Sequence, residues 1–142
     1  VKPDIPAVLA ELAGLVARNA APDVDPAERA GALSLSAALL GMAAEAWDGA
    51  TQRLVEENRA LRALLADAGD RAGPMAGLAG AEDDDLTISV LSAANARLRA
   101  GLIMLHAAVE AEDSPEARAL ESRIWQELRL STDRRRMSSA LA

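Results

Sequence analysis

Between Asp25 and Ala68 the chain repeats apolar residues at every seventh position, and this repeat constrains the fold more than any other feature. Leu33, Leu40, Trp47, Leu54, Leu61 and Ala68 form one row; Ala37, Ala44, Thr51, Asn58 and Leu65 form a second, displaced by four. Alternation by three and four marks a helix that packs along a seam against another helix. Asp25 followed by Pro26 is a cap and first-turn start signal, so a helix is expected over 26–68, roughly 65 Å long at the α-helical rise. Gly49 costs about 1 kcal/mol relative to alanine in a helix interior. Because the rows keep phase from Trp47 to Leu54, the helix is expected to be continuous, with a kink near Asp48-Gly49 as the alternative.

Three more helices flank this one. Ile5, Val8, Leu9, Leu12, Leu15 and Val16 give residues 4–20 an apolar face, with Asp4 as a cap, and Pro22 and Pro26 end that helix. Residues 69–82 hold four of the nine glycines and a proline and are expected to be a flexible loop. Asp83-Asp84-Asp85 then places negative charge where a helix N-terminus stabilises it. The helix it introduces, 84–111, repeats the seam as Ile88, Asn95, Leu102 and Val109 beside Leu91, Leu98 and Leu105. Ser114-Pro115-Glu116 starts the last helix, 115–137, with Ala117, Leu120, Ile124 and Leu128 inward and Trp125 and Met137 as further candidates. The two seams echo one another: the segments starting at Asn58 and Asn95 share N-x-x-L-R-A-x-L, and both asparagines occupy the same heptad row.

Composition limits what such a chain can do. Hydrophobic residues make up 51% and aromatics only 1%, so the core is aliphatic and Ala-rich, which favours close helix packing over a sheet. The expected fold is an all-α, antiparallel four-helix bundle in a single domain spanning 1–142. A net charge of -7 disfavours nucleic acid as a partner. The longest uncharged run, Ala30 to Ala44, is shorter than the ~20 residues of a membrane span, and the N-terminus carries no apolar signal core. No membrane partner is expected, and the cytoplasm is the expected location. The acidic triplet and Arg134-Arg135-Arg136 are read as helix-end charges that need no ligand.

The polar residues of the seams are the most informative. An asparagine inside a seam lowers stability but fixes register when it meets another. Asn58 and Asn95 could face each other within one bundle or meet their own copies across a symmetric dimer. A long second helix also leaves apolar seam beyond the reach of the first, so a homodimer is expected, with Asn58, Leu61, Leu65, Asn95, Leu98 and Leu102 as interface candidates. Catalytic signals are weak. His106 precedes Glu110 by one turn, Glu45 lies beside Trp47, and Glu56 and Glu57 could face a bundle interior; these are the residues to inspect for acid–base chemistry. The chain has no cysteine, no phosphate loop and no Glu-x-x-His pair, so neither cofactor nor metal is expected. The first functional reading is therefore a non-catalytic interaction or accessory protein that forms a homo-oligomer and engages a protein partner. The second is a bundle that binds an apolar or acyl small molecule near Gly41, Trp47 and Gly101, and the third is an enzyme using His106 with a carboxylate.

Overall fold

The computed structural model describes residues 5–19, 23 and 25–136. The fold is all-α: five α-helices, α1 (Ile5–Asn19), α2 (Pro26–Asp48), α3 (Ala50–Ala68), α4 (Ile88–Glu110) and α5 (Pro115–Asp133), with a 3₁₀ segment at Gly69–Leu78. Asp4, Ala20 and Met137, expected at helix ends or inward, lie outside the described residues. Two start signals act as the sequence implies. The Asp25 carboxylate accepts from the backbone N–H groups of Ala27 at 2.8 Å and Glu28 at 3.4 Å, and Ser114 Oγ accepts from Ala117 N–H at 3.0 Å, with a proline in the first turn each time.

The expected continuous helix over 26–68 is two helices, interrupted at Gly49, which has φ -88° and ψ -1°. Its N–H reaches the Glu45 carbonyl at 3.4 Å, a weak closing bond at a residue with poor helix propensity. The chain also divides at Gly49 into two compact units, where the sequence reads as one domain.

In the first unit α1 packs on α2. Among the described residues, Leu12 on α1 and Ser36, Ala43 and Ala46 on α2 are buried, and those on the α2 side are small enough for close helix approach. Leu33, Leu40 and Trp47, expected in a seam, are instead exposed, at 52, 48 and 60%. The reason is that α2 is apolar nearly all round, so periodicity alone does not select the face it buries.

The second unit packs α3, α4, α5 and the 3₁₀ segment around one aliphatic core. Here most of the heptad rows is buried as expected: Leu54, Leu61, Ala68, Asn58 and Leu65 on α3, and Asn95, Leu102, Val109, Leu91, Leu98 and Leu105 on α4, with Thr51 and Ile88 at the helix starts half-buried. The helix directions, however, are not all antiparallel. Asn58, midway along α3, meets Asn95 in the first half of α4, whereas Arg71, just past the end of α3, meets Glu112, just past the end of α4. These two helices therefore run parallel. Glu57 meets Ser131 and Asp67 meets Arg123, so α5 runs antiparallel to α3.

A parallel pair needs a return connection, and residues 69–87 supply it. The expected flexible loop is therefore corrected. Gly69 and Gly73 take φ of 54° and 52°, turns that an L side chain resists, and between and after them Ala72, Met75, Leu78 and Ala79 pack on the core. Residues 81–87 then run extended to the start of α4 at Ile88, four residues later than expected. The acidic triplet explains this shift. Asp83 binds the Arg62 guanidinium through both oxygens at 2.6 and 2.7 Å, and Asp85 accepts from Thr87 N–H at 2.8 Å, so neither is free to enter a helix.

Candidate functional site

The six interface candidates lie inside the 50–136 unit. Asn58, Leu61, Leu65, Asn95, Leu98 and Leu102 are all buried there, covered by α4, α5 and the 3₁₀ segment, and so are not available to a second subunit. Asn95 Nδ2 donates to Asn58 Oδ1 at 3.0 Å; Asn58 Nδ2 donates to the Leu91 carbonyl at 3.3 Å and to Asp83 Oδ1 at 3.2 Å. The two asparagines thus face each other within one chain and tie the return segment to the parallel pair. Beside Arg62, the Asp83 carboxyl is held below its ordinary value of 3.8, chiefly by the guanidinium hydrogen bond.

Of the acidic candidates, Glu57 is buried at 4% exposure. It is neutralised by Arg135, with Arg99 Nε at 3.5 Å and Ser131 Oγ at 3.3 Å, which joins α3 to α4 and to the end of α5. Arg134 is likewise taken up by Glu127 at 2.6 Å and by Glu56 at 3.7 Å. Two of the three clustered arginines therefore have carboxylate partners. This group is an ion-pair network rather than an acid–base pair. Glu45 is half-buried on α2 near exposed Trp47.

The space proposed for a ligand near Gly101 is filled. A Cβ at this position would lie 3.3 Å from Met75 Cβ and 3.5 Å from Leu65 Cδ1, so glycine is what lets the 3₁₀ segment close on α4.

His106 gains a setting that the sequence reading lacked. Glu110 follows one turn later on α4, with its Oε1 at 3.7 Å from His106 Nε2, and Glu121 approaches from α5. One donor atom from each of the three lies within 4.8 Å of the others. The Trp125 ring stands edge-on to the imidazole, with centroids 5.4 Å apart and planes at 88°. Trp125, an inward candidate, is half-exposed and serves as a wall for His106. An open depression of about 490 Å³, lined by Glu110, Glu112, Asp113, Arg118 and Glu121, adjoins the group. Glu121 was missed because it belongs to no motif, but the Ser114-Pro115 boundary implies a tight α4–α5 hairpin. The register that brings Trp125 to His106 also brings Glu121 to Glu110.

The other candidate surface is α2. Leu33, Leu40 and Trp47 recur at seven-residue spacing on its exposed side, Leu35 is 54% exposed nearby, and on α1 Leu9 and Val16 are also exposed and seven apart. By length and composition α2 and α4 are apolar enough to cross a membrane. A third of the apolar stretch of α4 is buried, with Leu98, Leu102, Leu105 and Val109 in the core of the second unit, whereas 17% of that of α2 is buried. No family model matches this chain, and neither a curated protein nor a solved structure is significantly similar to it.

Proposed function

We propose that the chain is a non-catalytic, cytoplasmic interaction protein whose α1–α2 hairpin joins a second copy of itself, so that two hairpins form one four-helix bundle and each copy carries the 50–136 unit. The observation that carries this reading is the exposed heptad row Leu33, Leu40 and Trp47 on α2. A two-helix hairpin of this size is at the lower limit at which a chain segment buries enough apolar surface to be stable by itself, and oligomerisation is the usual remedy. Seven-residue spacing on both α1 and α2 suits knobs-into-holes packing against like helices. The run Ala30 to Ala44 offers no charge pattern to select an unlike partner, and a self-complementary apolar face favours a two-fold pair. That same uncharged run is about 22 Å long as a helix, short of the ~30 Å hydrocarbon core, and Arg29 and Glu45 bound it.

Light scattering coupled to size exclusion tests the reading on the full chain. The expected result is a dimer that Leu33→Glu with Leu40→Glu converts to a monomer of unchanged helicity, since both positions are exposed. A monomeric unaltered chain, a variant that dimerises equally well, or co-sedimentation of the unaltered chain with neutral phospholipid vesicles would each overturn it.

A further inference from the structure

The α4–α5 edge holds a cluster that self-association does not use. His106 and Glu110 stand one turn apart on α4, Glu121 faces them from α5, and their donor atoms come within 4.8 Å of one another. Two facts distinguish this cluster from a solvated acidic face. His106 Nε2 is shut off from solvent and has no hydrogen-bond partner. Buried polar atoms nearly always find one, and the 3.7 Å to Glu110 Oε1 is too long to count. The imidazole also packs at right angles to the Trp125 ring, with centroids 5.4 Å apart, which restricts its rotation before any ligand arrives.

We propose that His106, Glu110 and Glu121 bind a divalent first-row transition-metal ion, zinc by preference, between α4 and α5. The donor set is one imidazole nitrogen and two carboxylates with no sulfur. Imidazole with carboxylate suits zinc and its neighbours, whereas calcium and magnesium require more oxygen ligands and make little use of nitrogen. Tetrahedral zinc with bonds of 2.0–2.2 Å needs donor atoms about 3.3 Å apart. The His106–Glu110 edge at 3.7 Å is within a few tenths of that, and Glu110, 59% exposed, reorients at little cost. The open depression that adjoins Glu110 and Glu121 leaves room for water at the fourth position; Glu112 and Asp113 on its rim are paired with Arg71 and Arg118. Bound there, the ion would satisfy the orphaned Nε2 and cross-link the α4–α5 hairpin. This proposal stands independently of dimerisation.

The test is calorimetric titration of the full chain with zinc alone, together with nitrogen-detected NMR of its one histidine. The expected result is one zinc per chain, binding weakened more than about tenfold in His106→Gln and in Glu121→Gln, no change in Asp84→Asn, and a zinc-dependent shift of Nε2 in the unaltered chain. The NMR readout does not depend on the folding of any variant. Equal affinity in the two ligand variants, an Nε2 resonance unmoved at saturation, or no saturable binding up to about 1 mM zinc would each overturn the proposal.

Discussion

Asn58 and Asn95 occupy equivalent positions of the repeated N-x-x-L-R-A-x-L and are bonded to each other at 3.0 Å, so the spacing between the two copies in the sequence is the register between two parallel helices. Equal heptad positions lie opposite one another only when helices run in the same direction, and a paired asparagine then fixes the alignment. Leu61 and Leu98, and Leu65 and Leu102, stand in the same relation, and all four are buried.

Removing one asparagine leaves the other orphaned in the core. Asn95→Leu is expected to destabilise the 50–136 unit by about 1–3 kcal/mol, because Asn58 Oδ1 loses its donor in a site with no access to water. The double variant Asn58→Leu with Asn95→Leu should recover much of that loss, since both polar groups are gone. Urea unfolding of the four proteins of this cycle gives the coupling. Additive losses would mean that the pair is not an energetic unit.

Among the buried positions of the echo, one differs, where Leu64 on α3 corresponds to Gly101 on α4, and this is where Met75 crosses. Gly101→Leu restores the repeat but forces Met75 and Leu65 aside, for an expected loss of about 1–3 kcal/mol from overpacking. Adding Met75→Ala should return part of it. Thermal unfolding of the single and double variants measures the compensation, and an unchanged single variant would show that the 3₁₀ segment yields freely.

Much of the second unit was legible in the sequence and the first was not. The α3 rows are flanked by charged residues, so their period selects a face, and α4 repeats that seam through the shared N-x-x-L-R-A-x-L; α2 is apolar nearly all round and its rows at Leu33 and Ala37 look as good as the one it buries at Ser36 and Ala43. The return segment was misread because its glycines suggest slack. Ala72, Met75 and Leu78 pack on the core from either side of the turn at Gly73, and only the spacing of Met75 and Leu78 carries the 3₁₀ period. Helix direction stayed hidden for the same reason, since a slack loop says nothing about where α4 begins. The His106 group was half visible: Glu110 lies in the same helical turn, but Glu121 is joined to it only through the α4–α5 hairpin.

Two ion pairs set the acid response. Glu112 is drawn down from 4.5 to about 2, first by its hydrogen bond with Arg71 and then by that with Ser114, and Asp83 is lowered by Arg62. A carboxyl whose folded value lies below its unfolded one adds stability that is complete above the unfolded value and lost as pH falls through the folded one. Stability should therefore be level near neutrality and decline as pH drops below about 4.5 toward 2. In Arg71→Met the Glu112 part of that decline should shrink to the smaller share that the Ser114 hydrogen bond supplies. Carboxyl-detected NMR titration locates the midpoints, and a Glu112 midpoint near its ordinary value would refute the pairing.

Glu57 gives the sharpest contrast between a buried charge and a surface one. Its carboxylate is buried beneath Ser131 and beneath Arg135 and Arg99, whose guanidinium groups reach it from partly exposed side chains, whereas Asp67 and Arg123 pair on α3 and α5 with about half of each side chain in solvent. Truncating a partner of a desolvated ion leaves the other uncompensated, so Arg135→Ala should cost on the order of 2–4 kcal/mol, moderated by the remaining contact to Arg99. Arg123→Ala removes a screened pair and should cost less than about 1 kcal/mol. Added salt separates the two effects further, since it weakens the exposed pair in the unaltered chain and scarcely reaches Glu57. Urea unfolding of both variants at low and high salt makes the comparison. Equal losses in the two would mean that Glu57 is hydrated in solution and that the end of α5 does not seal it.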